Sequence, residues 1–288
     1  MNKIYDVIII GAGPAGIAAA IQLKRYGINF LLIEKVGVGG LLRNASLVEN
    51  YPGFPKGITG LKLINLFKKH LSELGIGIKK KNVINVDYKK KTYSVQTGKI
   101  IYLSKNLIIA SGTKPKSFEI KDSSNIKIYY DVYELFNIRN KDITIIGGGD
   151  AAFDYAVSLS KNGNNIFILH RGSKPACIPA LLNKVLLKKN ISYFCNLNVH
   201  TVYKEKNKVI VVCNNEKIFK ADYLIAAIGR EAQLDFIKKE KMEMLKDESL
   251  FLIGDVKNEI YRQATISIGD GVFAAMKISK KMEYESNS

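Results

Sequence analysis

Short runs of branched apolar residues alternate along this chain with longer stretches in which apolar residues recur at helical spacing. The run Ile4-Tyr5-Asp6-Val7-Ile8-Ile9-Ile10 predicts a strand buried on both faces. After a glycine-rich turn, an alanine-bearing stretch predicts a helix through about Tyr26, stopped by Gly27. Residues 29–33 predict a second strand, ending in Glu34. Helical spacing returns over residues 60–74. Residues 76 to about 103 alternate as a small antiparallel sheet, and residues 107–110 read as a buried strand.

The same order then recurs. Ile143-Thr144-Ile145-Ile146 is a strand, followed by a second glycine turn and a helix to about Lys161, with Gly163 as its stop. Residues 166–169 form the next strand, ending at His170-Arg171, and another helix and small sheet lead to the apolar run 223–228 and Gly229. A final strand ends at Gly254-Asp255, before a closing helix from about Ala264. The fold class expected is α/β, with two three-layer ββα Rossmann-like domains. The second copy is inserted into the first, after a crossover over residues 114–121.

Both glycine turns sit between a buried strand and a helix. The first is Gly11-Ala12-Gly13-Pro14-Ala15-Gly16; the second is Gly147-Gly148-Gly149-Asp150-Ala151-Ala152. In such a turn the first glycine makes the bend and the second lets backbone approach a pyrophosphate. The third small residue lets helix pack on strand, with the helix N-terminus facing the phosphates. Glu34, at the end of the second strand, is placed to accept hydrogen bonds from adenosine ribose hydroxyls. Two such turns predict two dinucleotide sites.

Composition narrows the picture. The chain has 288 residues and is 47% hydrophobic, and no apolar run is long enough to span a bilayer. The N-terminus enters the first strand without a secretory pattern, so a cytoplasmic protein without a membrane association is expected. The net charge of +18 comes from scattered lysine bursts, read as solvated surface or as a docking face for an acidic partner. No recognition module for nucleic acid accompanies them. Cys177, Cys195 and Cys213 form no C-x-x-C pair or zinc spacing, and with three histidines no metal site is expected.

The order of short motifs resembles the low-molecular-weight thioredoxin reductase family of two-dinucleotide flavoproteins. The resemblance implies an FAD-binding domain over residues 1–115 and 246–288 and an NAD(P)H-binding domain over 116–245. For FAD it implies the first turn (Gly11, Gly13, Pro14, Ala15, Gly16), then Glu34 and Lys35 at the strand end, and Gly40, Leu41 and Asn50 in a flavin-approach loop. It also implies Val83, the Ala110-Ser111-Gly112 motif, the ribityl-holding Gly254-Asp255 pair, and Gln263-Ala264 beside the ring. For the nicotinamide nucleotide it implies Gly147, Gly149, Asp150, Ala151 and Ala152 in the second turn, with Ile228 and Gly229. The family's NADPH enzymes follow the strand with His-Arg-Arg and a further Arg; here the run is His170-Arg171-Gly172-Ser173-Lys174. NADP is therefore expected, with NAD as the alternative.

The family's Cys-x-x-Cys is missing. Its positions fall at Tyr130 and Tyr133, in Tyr130-Asp131-Val132-Tyr133-Glu134-Leu135. A tyrosine cannot exchange a disulfide, so no side chain is assigned as catalytic; Tyr130 and Tyr133 are candidates to lie beside the flavin. This run, with Gly147-Gly148-Gly149-Asp150-Ala151-Ala152-Phe153-Asp154, is similar to thioredoxin-reductase-like ferredoxin–NADP reductases. That resemblance implies an acidic electron-transfer partner such as ferredoxin or flavodoxin, and the wider family implies a homodimer. Tyr261-Arg262-Gln263-Ala264 and the absence of the ferredoxin reductases' C-terminal extension resemble the disulfide-reducing branch instead. An NAD(P)H oxidase or quinone reductase, a disulfide reductase using other cysteines, and a non-enzymatic flavin-binding redox sensor stay open as alternatives.

Overall fold

Successive side chains of a strand point to opposite faces. In β1 (Ile4–Ile10), Val7 and Ile9 enter one buried cluster while Ile8 and Ile10 enter another, so the strand is covered on both sides. The computed structural model describes residues 3–120 and 125–286; the last residue of the expected crossover, Lys121, lies outside them. Contacts divide the chain into two units. One comprises Met1–Arg43, Leu47–Lys114 and Glu231–Ser288, the other Asn44–Ser46 and Pro115–Arg230.

In the first unit β1 leads to α1 (Pro14–Arg25), β2 (Phe30–Glu34), α2 (Gly60–Glu73), β3 (Ile78–Lys80), β4 (Asn85–Lys89), β5 (Thr92–Thr97) and β6 (Ile100–Ile109). The sheet order is β3-β2-β1-β6-β5-β4. Two details differ from expectation. β3 pairs in parallel with β2 instead of joining the antiparallel strands, because α2 returns the chain as a crossover. β6 is a single strand: its first half pairs antiparallel with β5, its second half parallel with β1.

After β7 (Thr113–Pro115), the second unit runs β8 (Ile128–Tyr129), β9 (Asp142–Ile146), α3 (Asp150–Ser160), β10 (Asn165–Leu169), α4 (Pro179–Leu186), β11 (Ile191–Phe194), β12 (Val199–Glu205), β13 (Lys208–Cys213), β14 (Ile218–Ala221) and β15 (Tyr223–Ala226). Its parallel sheet has the order β11-β10-β9-β15-β8. Ile143, Ile145 and Ile168 pack on Phe153 of α3, while Ile146 and Leu169 face Val202 and Val211 of the β12-β13-β14 ribbon. Helix, parallel sheet and antiparallel ribbon make the expected three layers.

The chain returns through β16 (Arg230–Ala232) to β17 (Leu250–Leu252), which pairs with β6, and to α5 (Ala264–Ser286). The return comes at Glu231, earlier than the expected residue 246. Phe236 and Ile237 are already buried with Val83 and Val86, and the Val86 N–H donates to the Phe236 carbonyl at 3.0 Å. Helix α5 lies close on α1: a Cβ on Gly271 would sit 2.2 Å from the Ala15 carbonyl oxygen.

Candidate functional site

The first turn is built by contacts only glycine allows. Gly11 has φ +107°, and a Cβ there would meet the Ala110 carbonyl oxygen at 2.2 Å; one on Gly16 would meet the Gly11 oxygen at 1.9 Å. Gly13 caps α1 without a side-chain hydrogen bond, Pro14 follows as the first helical residue, and nothing lies within 4 Å of where a Gly13 Cβ would be. A bare helix N-terminus thus faces open space. Glu34 braces the turn. Its carboxylate accepts from the Ala12 N–H at 2.8 Å, the Val36 N–H at 2.8 Å and the Gly37 N–H at 3.2 Å. A carboxylate has about four acceptor positions, so capacity for a ribose hydroxyl is left.

Other expected residues gather here. A Cβ on Gly40 would be 3.4 Å from the Gly13 Cα, and one on Gly254 would be 2.8 Å from the Ala15 Cβ. The Ala110 N–H donates to the Ile10 carbonyl, and the Ser111 hydroxyl to the Gln233 carbonyl at 2.6 Å, with the Gln233 N–H returning to Gly112 at 3.0 Å. Asp255 accepts from the Ser267 hydroxyl at 3.2 Å. The Asn50 amide donates to Gln263 at 2.7 Å, next to Ala264 at the start of α5. Leu41 lies in the 3-10 helix Gly40–Asn44, Lys35 is exposed, and Val83 is buried in the core. Sequence reasoning missed Asp270, whose carboxylate accepts from the Gly254 N–H at 2.9 Å and the Asn258 amide at 2.7 Å. Its signal was Gly269-Asp270-Gly271, two glycines inside a helical pattern.

The second turn repeats the device. Gly147 has φ +148°, and a Cβ there would lie 2.3 Å from the Ala227 carbonyl oxygen. Gly149 caps α3 without a side-chain bond, and Ala152 is fully buried beneath it. Asp150 and Ala151 are exposed, and the Asp150 carboxylate accepts from the Ile178 N–H at 2.8 Å. His170 follows β10 with its Nδ1 3.0 Å from the Tyr193 hydroxyl; Arg171 and Lys174 are exposed. Ile228 packs against the ribbon cluster, and Gly229, with φ +111°, accepts from the Lys116 N–H at 3.1 Å.

The Tyr130–Tyr133 segment is pinned. The Tyr130 hydroxyl accepts from the Phe118 N–H at 3.1 Å, while Tyr133 is half-exposed and edge-on to Phe136. Buried Asn44 accepts from the Val132 and Tyr133 N–H groups at 3.2 and 3.1 Å and donates to Asp131, which also pairs with Arg230 at 3.1 Å. Nothing in the local sequence pattern pointed to Asn44. The three cysteines are free thiols. Burial raises the Cys177 thiol, with Asp150 adding to it, and burial raises Cys213; both effects suppress thiolate.

Residues 5–271 match the family model described as pyridine nucleotide-disulphide oxidoreductase. The chain belongs to that family. This oxidoreductase is 29% identical over 302 residues to a "34.2 kDa protein in rubredoxin operon" of Clostridium pasteurianum, covering 97% of each chain. It is 29% identical to the thioredoxin reductase of Bacillus subtilis, covering 98% of this chain and 96% of the relative. Among solved structures it is similar to T. acidophilum thioredoxin reductase, with TM-score 0.86, 26% identity, and 96% and 98% of the two chains covered. The family and these relatives imply FAD and NADPH as the oxidoreductase's cofactors. Its residues fit such groups. Each turn ends in a glycine with no side-chain cap, and around Gly13 and Gly149 a Cβ would meet nothing closer than 4.0 Å. Backbone N–H groups at a clear helix N-terminus are what a pyrophosphate requires. Among the described residues no group of His, Cys, Asp and Glu is arranged for a metal ion, and no helix is long and apolar enough to cross a membrane.

Proposed function

We propose that this oxidoreductase passes electrons between NADPH and a small acidic protein carrier such as ferredoxin or flavodoxin, without a protein dithiol. In this reading the first turn, Glu34, Gly40 and Gly254 hold FAD, and the second turn with His170 and Arg171 holds the nicotinamide nucleotide. FAD, when bound, supplies the conversion between hydride and single-electron chemistry. The chain's own residues bind and orient; no side-chain acid or base is assigned.

One observation carries the reading. Tyr130 and Tyr133 stand at the dithiol positions, held by Phe118 and Asn44, while all three cysteines lie elsewhere as free thiols. The net charge of +18 favours an acidic carrier, and the rubredoxin-operon relative supports a small iron protein as acceptor. An exposed apolar stripe on α5 (Ile266, Phe273, Met276, Tyr284) supports a homodimer, which light scattering checks.

The test is anaerobic. NADPH is expected to bleach the bound flavin, and ferredoxin, flavodoxin or rubredoxin to restore its colour. Restoration by thioredoxin alone would overturn the proposal, as would a colourless protein that takes up no FAD.

A further inference from the structure

Helix α4 is apolar on its outer face as well as its inner one. The inner face is ordinary: Val185 is buried, and Leu181 and Leu182 pack against the cluster that holds Phe153. Positions 179, 183, 186 and 187 recur at the spacing of the opposite face, and all four are exposed, with Ala180 beside them. They are Pro179, Asn183, Leu186 and Leu187, so this face carries one polar side chain and no charge. Leu186 is 69% exposed and Leu187 85%. A helix apolar all round is normally buried; this one ends with two leucines in solvent. The last turn is closed around Val185 and keeps them outward: the Leu187 N–H donates to the Asn183 carbonyl at 3.2 Å and the Lys188 N–H to the Val185 carbonyl at 3.0 Å.

The charge along this stretch has one sign. Between Asp154 and Glu205 the chain has six lysines, one arginine and no acidic residue. Lys188 and Lys189 directly follow the exposed leucines, and Lys184 lies one turn before Lys188. Asp150 reaches α4 from the second glycine turn, but at the opposite end, where its carboxylate accepts from the Ile178 N–H at 2.8 Å.

The chemistry of the patch selects its occupant. Protein interfaces centre on Trp, Tyr and Arg, while Leu is under-represented among their anchors and Lys is depleted. Single-stranded nucleic acid stacks on aromatic side chains, and the exposed pair here is aliphatic. Leucines followed by lysines suit the boundary between acyl chains and acidic headgroups, where Leu inserts and the long Lys stem lets its ammonium stay at the phosphates. We propose that the C-terminal end of α4 is a peripheral docking site for an anionic lipid bilayer. Leu186 and Leu187 enter the acyl boundary, and Lys188 and Lys189 meet the headgroups. The expectation of no membrane association came from the length of apolar runs, which governs spanning and not contact with a surface.

The full-length, FAD-loaded protein is mixed with vesicles of phosphatidylcholine and phosphatidylglycerol, or of phosphatidylcholine alone, and co-sedimentation gives the partition coefficient. Binding to the mixed vesicles is expected at about 0.1 M salt, falling steeply towards about 1 M. Phosphatidylcholine alone is expected to bind at least about tenfold more weakly. With a net charge of +18, every lysine adds some attraction, so variants decide. The double change Leu186→Ser and Leu187→Ser, which leaves the charge untouched, is expected to lower the coefficient by about tenfold or more. Lys188→Gln with Lys189→Gln is expected to lower it about thirtyfold. The same loss of two charges at Lys90 and Lys91, exposed on the β4–β5 hairpin, is expected to leave it within about twofold. Bleaching by NADPH and the urea midpoint are expected to stay unchanged in all three, because the substituted side chains face solvent. No binding to the mixed vesicles overturns the inference. So does binding that survives the leucine changes and falls equally at either lysine pair, which is general attraction to a basic protein. Leucine changes that alter only the mass by light scattering, or only turnover with ferredoxin, also overturn it and make this face a protein interface.

Discussion

Substituting Gly11 and Gly13 separately by alanine divides what the first turn does for the fold from what it does for the cofactor. At Gly11, φ is +107° and a Cβ would press on the Ala110 carbonyl oxygen at 2.2 Å. That oxygen belongs to backbone next to β6, beside β1, and cannot swing aside as a side chain would. Strain at such a φ and overpacking each cost about 1–3 kcal/mol, so Gly11→Ala is expected to lose about 2–6 kcal/mol. A domain of ordinary stability has about 5–15 kcal/mol in all. At Gly13, φ is −74°, the backbone is extended, and nothing lies within 4 Å. Gly13→Ala is expected to change the stability of the FAD-free protein by no more than about 1 kcal/mol. The methyl group would instead enter the space assigned to the pyrophosphate, weakening FAD by about 1–3 kcal/mol, or about five- to 150-fold. Urea unfolding of the stripped proteins reads the first quantity; recovery of free-flavin fluorescence on dilution reads the second. If Gly13→Ala unfolds the stripped protein while Gly11→Ala leaves it within about 1 kcal/mol of the original, the assignment of roles within the turn is wrong.

Other expectations follow from single contacts. A Cβ at Gly149 would lie 4.0 Å from the Ala176 oxygen, an ordinary contact; in Gly149→Asp a second carboxylate beside Asp150 at the start of α3 should abolish bleaching by NADPH while FAD stays bound, and loss of both would mean that the two sites are misassigned. Burial raises the Asp247 carboxyl, but hydrogen bonds from the Ser249 hydroxyl and N–H, then from Tyr88 and Tyr93, outweigh it and hold the group at about 2. Because the folded value is depressed, its contribution of about 1–2 kcal/mol, discounted for partial exposure, is present above about pH 5 and lost as pH falls from about 4 through 2. Unfolding of the original and Asp247→Asn proteins should therefore converge in acid, and a gap that widens there would refute this. Lys90 and Lys91 form the β4–β5 hairpin turn with φ of 51° and 58°, a conformation that favours Asn-Gly. The double change to Asn and Gly is expected to gain about 1 kcal/mol in urea unfolding, and a loss would contradict it.

The two glycine turns, the strands before them and the helices after them were legible because their causes are local. Gly11 and Gly147 need positive φ, Gly13 and Gly149 need bare helix starts, and buried strand segments such as residues 7–10 and 143–146 need unbroken apolar runs. The missing dithiol at Tyr130 and Tyr133 was equally a matter of residue identity. What escaped depends on partners distant in sequence. β6 reads as two elements because its halves pair with different strands in opposite senses. The return to the first unit at Glu231 rests on Phe236 and Ile237 finding Val83 and Val86. Asn44 reaches Asp131, and His170 finds Tyr193. Periodicity and turn chemistry report the backbone's immediate needs, so the sequence by itself determined the two-fold repeat of nucleotide-binding turns. Only packing decides which side chains, brought together from far along the chain, share a hydrogen bond or a cavity, so the tertiary structure alone settled the unit boundary and the partners of Asn44.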